Sequence, residues 1–219
     1  MKIGIIGAGN IGGNLTRRLT ALGHEVSVAN SRGPHTLTVL AKETGATPVT
    51  VEEAPRGAEL VVVTIPLKAV PDLPSGLFDQ AADGVAVVDT GNYYPQQRDG
   101  RIAEIEEGLT ESEWVSRRLG VPVVKAFNNV YADHLLTRGR PEGDPARAAL
   151  PVAGDDQEAK EVVLALVDEL GFDGVDAGPL SQSWRQQPGT AVYGTDLPAE
   201  DLRGALAAAS PERTPEWRA

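Results

Sequence analysis

Residues 2–12 of the chain read KIGIIGAGNIG, a short apolar run that leads into three closely spaced glycines. The apolar run has the length and composition of a buried strand, and Asn10–Leu22 repeats apolar residues at helical spacing. A second strand is predicted at Glu25–Ala29. Strand, glycine turn, helix and strand in this order predict the first βαβ unit of an α/β protein.

The same alternation continues along the chain. Further helices are predicted at Thr36–Thr44 and Asp156–Leu170, and further strands at Thr47–Val49, Leu60–Ile65, Val85–Asp89, Val121–Ala126, Ala148–Ala153 and around Gly174–Asp176. Nearly continuous apolar strands separated by helices predict an α/β fold with a doubly wound, mostly parallel sheet and helices on both faces. We assign residues 1–180 to this domain, with the last strand-helix-strand as an extension. Residues 181–219 are predicted to pack on it and to end in a flexible tail.

Composition argues against several classes of protein. With 31 acidic and 20 basic residues, the net charge of −11 disfavours nucleic-acid binding. The longest apolar run, Leu60–Leu67, is too short to cross a bilayer. There is no cysteine, and the three histidines lack metal-ligand spacing, so we expect neither a disulfide nor a metal site. The start of the chain does not resemble a signal peptide, and we expect a cytoplasmic protein, on base rates a homodimer.

The glycine turn matches the spacing of dinucleotide-binding loops. Its residues are Gly7, Ala8, Gly9, Asn10, Ile11 and Gly12. In such loops the first glycine permits the tight turn, the second lets a pyrophosphate approach the backbone, and the third lets helix and strand pack closely. The free N–H groups at the helix start then hold the anion. The turn therefore predicts a Rossmann-type NAD(P) site.

The end of the second strand bears on which dinucleotide is bound. NAD sites usually carry Asp or Glu there, whereas this chain has Asn30, Ser31 and Arg32. Arg32 can grip a phosphate with two hydrogen bonds and stack on adenine, and the two polar neighbours can donate to it. These residues predict NADP(H). Alternatively, Arg32 is a solvated turn residue and Ser31 caps the next helix.

Two further regions are predicted to complete the cleft. Thr64, Ile65 and Pro66 end the fourth strand at the edge that binds the cofactor, with Pro66 in the first turn of a helix. Thr64 either contacts the ribose or bonds its own backbone. The segments 89–94 and 125–132 follow later apolar strands and are expected to face a hydride acceptor.

Candidate catalytic residues lie in the second of these segments. Asn128 could orient the carboxamide or the acceptor, and Lys125 could hold an anionic or carbonyl group. Alternatively, Asn128 is a helix cap and Lys125 a snorkelling surface residue. Trp184, in a polar stretch near the C-terminus, either closes over an aromatic acceptor or docks on the core. No hydrolase signature is present, and hydride transfer needs little beyond positioning.

These motifs resemble those of the NADP-dependent reductases of the deazaflavin coenzyme F-420. The matching segments are Gly7–Gly12, Asn30–Gly33, Thr64–Pro66, Asp89–Asn92 and Lys125–Asn128. The resemblance implies hydride transfer between NADP(H) and a deazaflavin or flavin-like small-molecule acceptor. It further implies that Ser31 and Arg32 bind the 2′-phosphate and that segments 89–92 and 125–131 face the deazaflavin. Two other functions remain open, a reductase of a small imine or carbonyl compound with Tyr131 or His134 as proton donor, and a non-catalytic NADP(H) sensor.

Overall fold

The computed structural model describes residues 1–219, which form eight strands and seven α-helices. The strands are β1 Lys2–Ile6, β2 Glu25–Ala29, β3 Thr47–Pro48, β4 Leu60–Val63, β5 Ala86–Asp89, β6 Val124–Lys125, β7 Ala149–Val152 and β8 Asp173–Asp176. The α-helices are α1 Asn10–Ala21, α2 Thr38–Thr44, α3 Ala103–Glu106, α4 Glu111–Leu119, α5 Ala132–Thr137, α6 Gln157–Glu169 and α7 Ala199–Ala208. Short 3-10 helices lie at Pro34–Leu37, Leu67–Asp72, Leu180–Gln186 and Pro215–Trp217, and a π-helical turn lies at Pro95–Asp99.

Six parallel strands form the main sheet, in the order β3-β2-β1-β4-β5-β6. The chain runs outward from β1 to β3, then returns to the other side of β1 and runs outward again to β6. This reversal creates a crevice beyond the carboxyl ends of β1 and β4, the place where open α/β sheets bind ligands. The predicted doubly wound α/β fold is confirmed.

Both faces of the sheet are covered. Along β4, Leu60 and Val62 enter a core that also contains residues of α1 and α6. The alternate residues Val61 and Val63 enter a second core, with Trp114 of α4. Side chains of a strand alternate between faces, so an uninterrupted apolar strand is the expected sequence for a sheet packed on both sides.

Two parts of the sheet differ from the prediction. The strand expected at 121–126 is reduced to two residues in β6, and Pro122, just before it, has no N–H to donate to a ladder. Strands β7 and β8 form a separate two-stranded parallel sheet. A single antiparallel bridge, Lys125–Ala153, joins this sheet to β6. None of the seven α-helices combines the length and apolar character needed to cross a lipid bilayer.

The C-terminal segment packs on this smaller sheet. Leu202 and Leu206 of α7 lie in a small core with Val175 of β8. Residues 210–219, here called the tail, contact the loop that follows β5, and their predicted flexibility stays a prediction. The side chain of Gln96 in that loop donates to the carbonyls of Pro215 and Arg218, at 3.1 and 3.0 Å.

Candidate functional site

The loop between β1 and α1 assigns a different task to each of its glycines. Gly7 has φ +111°, and a Cβ there would lie 2.2 Å from the carbonyl oxygen of Thr64. A Cβ on Gly12 would lie 1.9 Å from the carbonyl oxygen of Gly7, so the third glycine brings α1 close to the loop. Gly9 has open space where its Cβ would point. The loop therefore has no room for a side chain at Gly7 or Gly12, and it leaves space for a ligand at Gly9.

The N-terminus of α1 offers unpartnered backbone donors. Gly9 precedes the helix without a side-chain cap, and the first turn contains no acidic residue. The first N–H group that bonds back to a carbonyl is that of Gly13, which donates to Gly9 at 2.8 Å. The earlier N–H groups point out of the helix with the positive end of its dipole, which is the arrangement that binds a pyrophosphate.

A cleft of about 460 Å³ opens beside this loop, and most residues predicted to bind the cofactor line it. They are Gly7, Ala8, Gly9, Asn30, Ser31, Arg32, Thr64, Ile65 and Pro66. Asn10 lines a neighbouring cavity, while Ile11 and Gly12 lie in the helix behind the loop. Pro66 directly precedes the 3-10 helix rather than standing in its first turn. The structure thus brings three separate stretches of sequence to one crevice.

At the far end of this cleft, the loop after β2 is held by its own side chains. The Asn30 carboxamide oxygen accepts from the N–H of Arg32 at 2.9 Å, and its amide donates to the Thr36 hydroxyl at 2.9 Å. Asn30 therefore shapes the loop, a role that the sequence did not suggest. Ser31 and Arg32 are exposed, and the Arg32 guanidinium takes part in no ion pair. Exposed donors beside an anion-binding helix fit a dinucleotide with an additional phosphate.

The sequence missed two acidic residues in the same cleft. Glu52 and Asp72 line it together with apolar side chains from the loops after β3 and β4. Neither follows directly on a strand of the first βαβ unit, so the nucleotide-binding pattern gives no signal for them.

Lys125, predicted to meet the acceptor, lies beneath the surface instead. It is only 1% exposed, and its Nζ lies 3.3 Å from Asp89 Oδ2 and 3.6 Å from Glu111 Oε2. It also donates to the carbonyl of Gly91. Lys125 and Asp89 are register partners on β6 and β5, which forces the two side chains together. Lys125 therefore ties the loop after β5 to the sheet, and its contact with an acceptor stays a prediction.

This buried cluster extends to the tail. Arg213 donates to Glu111 Oε1 and to Gln187 Oε1, both at 2.9 Å, and its guanidinium lies 5.3 Å from the ring centre of Tyr93. Only 10% of its side chain is exposed. Two carboxylates and two cations thus share one interior region, which lowers the cost of burying each of them.

Asn128 is also buried, and it joins loops rather than facing a ligand. Its amide donates to Asn92 Oδ1 at 3.0 Å and to the Gln186 carbonyl at 2.7 Å. Its own oxygen accepts from the Gln186 side chain at 2.9 Å. Phe127, one residue earlier, has φ +60° and turns the chain sharply after β6. Asn128 therefore has a structural role in joining these loops, and its contact with the carboxamide or the acceptor stays a prediction.

Three tyrosines gather at the carboxyl ends of β5 and β6, and we call them the acceptor face: Tyr94, Tyr131 and Tyr193. Tyr94 and Tyr193 share a hydrogen bond between their hydroxyls. Tyr131 is 55% exposed, and its hydroxyl lies beside Gly194, the neighbour of Tyr193. Burial, followed by the hydrogen bond with Tyr94, raises the pKa of the Tyr193 phenol far above its usual value. At neutral pH this phenol is an uncharged hydrogen-bonding group.

Two residues that the sequence offered as alternatives have other partners. The Nδ1 atom of His134 lies 2.8 Å from Asp196 Oδ1, and its ring meets the edge of Tyr131. Trp184 is half-buried beside Leu109 and Arg213, with the Arg185 guanidinium 5.4 Å from its ring centre. No cluster of three His, Asp or Glu side chains has a metal-binding arrangement.

Comparison with known proteins shows what the nucleotide-binding part of the chain is similar to. The family model described as "NADP oxidoreductase coenzyme F420-dependent" matches residues 2–93, from β1 through the loop after β5. A crystal structure described as a candidate F420-dependent NADP reductase from Arthrobacter sp. FB24 is 25% identical, with a TM-score of 0.65 over 84% of this chain and 87% of that one. The first 93 residues of the chain are thus similar to this family, and the likeness to the solved structure extends over most of the chain.

Other relatives extend the family likeness. A hypothetical protein from Sinorhizobium meliloti has a solved structure that is 31% identical, with a TM-score of 0.75 over 90% of this chain and 95% of that one. The metalloreductase STEAP3 of Rattus norvegicus is 31% identical over 183 residues, which is 83% of this chain and 35% of that protein. The matches span 31–45% of the length of the curated relatives. More distant dehydrogenases and imine reductases, at 14–20% identity, share the fold.

Proposed function

We propose that this protein is an NADP(H)-dependent oxidoreductase that exchanges a hydride with a flavin- or deazaflavin-type ring. The match of residues 2–93 to a family of NADP oxidoreductases supports the cofactor class. The description of that family, and that of the relative from Arthrobacter, name coenzyme F420. The acceptor is the finer part of the proposal, and it depends on the residues opposite the cleft.

The chain's own residues account for cofactor binding. The N–H groups at the start of α1 hold the pyrophosphate, and Gly9 leaves it room. Arg32 and Ser31 hold the 2′-phosphate at the open end of the cleft. When bound, NADPH supplies the hydride. Because the six strands are parallel, the acceptor face beyond β5 and β6 lies at the same edge of the sheet as the cleft, and we expect the nicotinamide end to be directed toward it.

The observation that carries the acceptor class is the gathering of aromatic side chains at that edge. Tyr94 follows β5, Tyr131 precedes α5 and Tyr193 follows the last 3-10 helix before α7, so three distant parts of the chain contribute. Aromatic rings bind planar rings by offset stacking, and neutral phenols can donate to ring heteroatoms. An aliphatic substrate would gain less from such a surface than a planar ring.

A second candidate is a non-catalytic sensor of NADP(H). It is favoured by the absence of segments 89–94 and 125–131 from the lining of the five main cavities. A nicotinamide covered by protein would report on the cofactor's presence without passing on its hydride. A reductase of a small imine or carbonyl compound is supported by the exposed Tyr131 hydroxyl, which could act as a proton donor.

One experiment separates these functions. NADPH oxidation is followed at 340 nm with oxidised coenzyme F420, FMN or a small cyclic imine as acceptor, and NADH serves as the control cofactor. Oxidation with NADPH and a flavin-type ring, but not with the imine, supports the proposal. Turnover with the imine alone supports the imine reductase. Tight NADPH binding without turnover of any acceptor supports the sensor.

A further inference from the structure

The aromatic residues at the acceptor face are partly covered by the chain's own C-terminus. The indole of Trp217 lies with its centre 5.7 Å from the ring of Tyr94 and 6.3 Å from that of Tyr193. The two interplanar angles are 50° and 68°. The two phenol rings meet at their hydrogen-bonded hydroxyls and form a corner, here called the slot, and the indole packs in this corner against both rings.

The floor of this slot is backbone. Gly189 has φ +88°, and a Cβ there would lie 2.7 Å from Cδ1 of Trp217. The absence of a side chain at this position lets the flat indole rest directly on the chain. Tilted and edge-on aromatic contacts above a glycine favour a planar ring over a branched side chain at this position.

The tail that carries Trp217 has one buried polar anchor, and its other polar links lie at the surface. Arg213 is anchored in the interior by Glu111 and Gln187. Beyond it, Thr214, Pro215, Glu216, Arg218 and Ala219 are all exposed. Their polar links to the body are the bonds from Gln96 and one from the N–H of Ala219 to Glu106, at 3.0 Å. Residues 214–219 can therefore move while Arg213 stays in place.

We propose that the slot formed by Tyr94 and Tyr193 binds the planar ring of the acceptor, and that Trp217 occupies it as an internal substitute until the acceptor arrives. The inference rests on the proposed function, because that function makes the acceptor a planar ring. It adds that the site is closed by residues 214–219 in the absence of acceptor, and that the ring must displace the indole.

The test uses riboflavin, a neutral molecule with a planar ring, and the full-length protein. Riboflavin affinity is measured from the quenching of its fluorescence for the wild type, Trp217→Ala, Trp217→Phe and Trp184→Ala. Removing the indole is expected to tighten binding about tenfold, the order of one or two aromatic contacts. The riboflavin affinity of Trp217→Phe should lie between those of the wild type and Trp217→Ala. That of Trp184→Ala should match the wild type because Trp184 lies outside the slot. NADPH affinity should be the same in all four proteins.

Hydrogen exchange supplies a second readout that needs no variant. Riboflavin is expected to speed the exchange of amides in 214–219 in the wild type, whereas NADPH alone should not. Unchanged or weaker riboflavin binding by Trp217→Ala, or unchanged exchange of the tail at saturating riboflavin, would overturn the proposal. These outcomes do not depend on turnover: riboflavin that binds and releases the tail supports the slot even if the assay with coenzyme F420, FMN and the imine shows no hydride transfer.

Discussion

The two halves of the crevice are built in opposite ways. The nucleotide half, from the Gly7–Gly12 loop to Arg32, is an open cleft lined by backbone donors and exposed polar side chains. The acceptor half rests on the buried charges of Asp89, Lys125, Glu111 and Arg213 and is closed by aromatic rings. A substitution in the nucleotide half should mainly change the affinity for the cofactor. A substitution in the acceptor half should mainly change the free energy of unfolding.

The largest effect is expected from Lys125→Met, which leaves Asp89 and Glu111 facing each other in the interior with one cation fewer. Removing one member of a buried ion cluster commonly costs about 3–5 kcal/mol of unfolding free energy. Urea denaturation measures the loss. Lys42→Met is the matched control, because Lys42 is exposed and outside every ion pair, and it should change stability by less than about 0.5 kcal/mol. Equal losses in both variants would show that the cluster contributes no special stability.

Two glycines of the nucleotide loop allow effects on stability to be separated from effects on NADPH binding. Gly12→Ala places a Cβ 1.9 Å from a carbonyl oxygen, so α1 must shift, at a cost of about 1–3 kcal/mol in stability and with loss of NADPH affinity. Gly9→Ala meets nothing within 4 Å in the protein and should leave stability unchanged. Its methyl group should still weaken NADPH binding about tenfold or more, because it lies where the pyrophosphate approaches. Thermal unfolding and calorimetric titration with NADPH test the pair, and a destabilised Gly9→Ala protein would contradict the assigned geometry.

Arg32→Ala tests the cofactor end without disturbing the fold. Loss of charge-assisted hydrogen bonds of about 1.5–3 kcal/mol should weaken NADPH binding roughly 10- to 100-fold. NADH, which lacks the 2′-phosphate, should bind equally well to both proteins. Dissociation constants for the two cofactors, measured side by side, decide the matter. Similar losses for NADPH and NADH would place the phosphate site elsewhere.

The smallest effect concerns alkaline pH and the acceptor face. Burial raises the pKa of Tyr93 and, with the Tyr94 hydrogen bond, that of Tyr193, so both phenols keep their protons longer in the folded protein than in the unfolded chain. Above about pH 10 the unfolded chain therefore binds fewer protons, and stability must fall as pH rises. Melting temperatures between pH 8 and 11 should decline more steeply for the wild type than for Tyr193→Phe. Parallel curves would show that Tyr193 titrates alike in both states.

Sequence alone predicted the nucleotide half because the determinants there are local. The first βαβ unit takes its strand and helix bounds from apolar spacing within about 30 residues, and each glycine acts on the loop that contains it. The same local logic predicted the α/β fold, which the sheet order confirms. Asn30 is a residue for which such local patterns were not sufficient, because its role depends on a hydrogen bond with Thr36 rather than on its place at the end of a strand.

Only the tertiary structure decided the acceptor half, because its interactions join residues that are distant in sequence. Lys125 is opposite Asp89, Asn128 is bonded to Gln186, and Glu111 is paired with Arg213 from the tail. A lysine or an asparagine at the end of a strand looks the same in sequence whether it meets a ligand or a buried partner. Which of these occurs depends on how the later segments pack, and no local pattern encodes that packing.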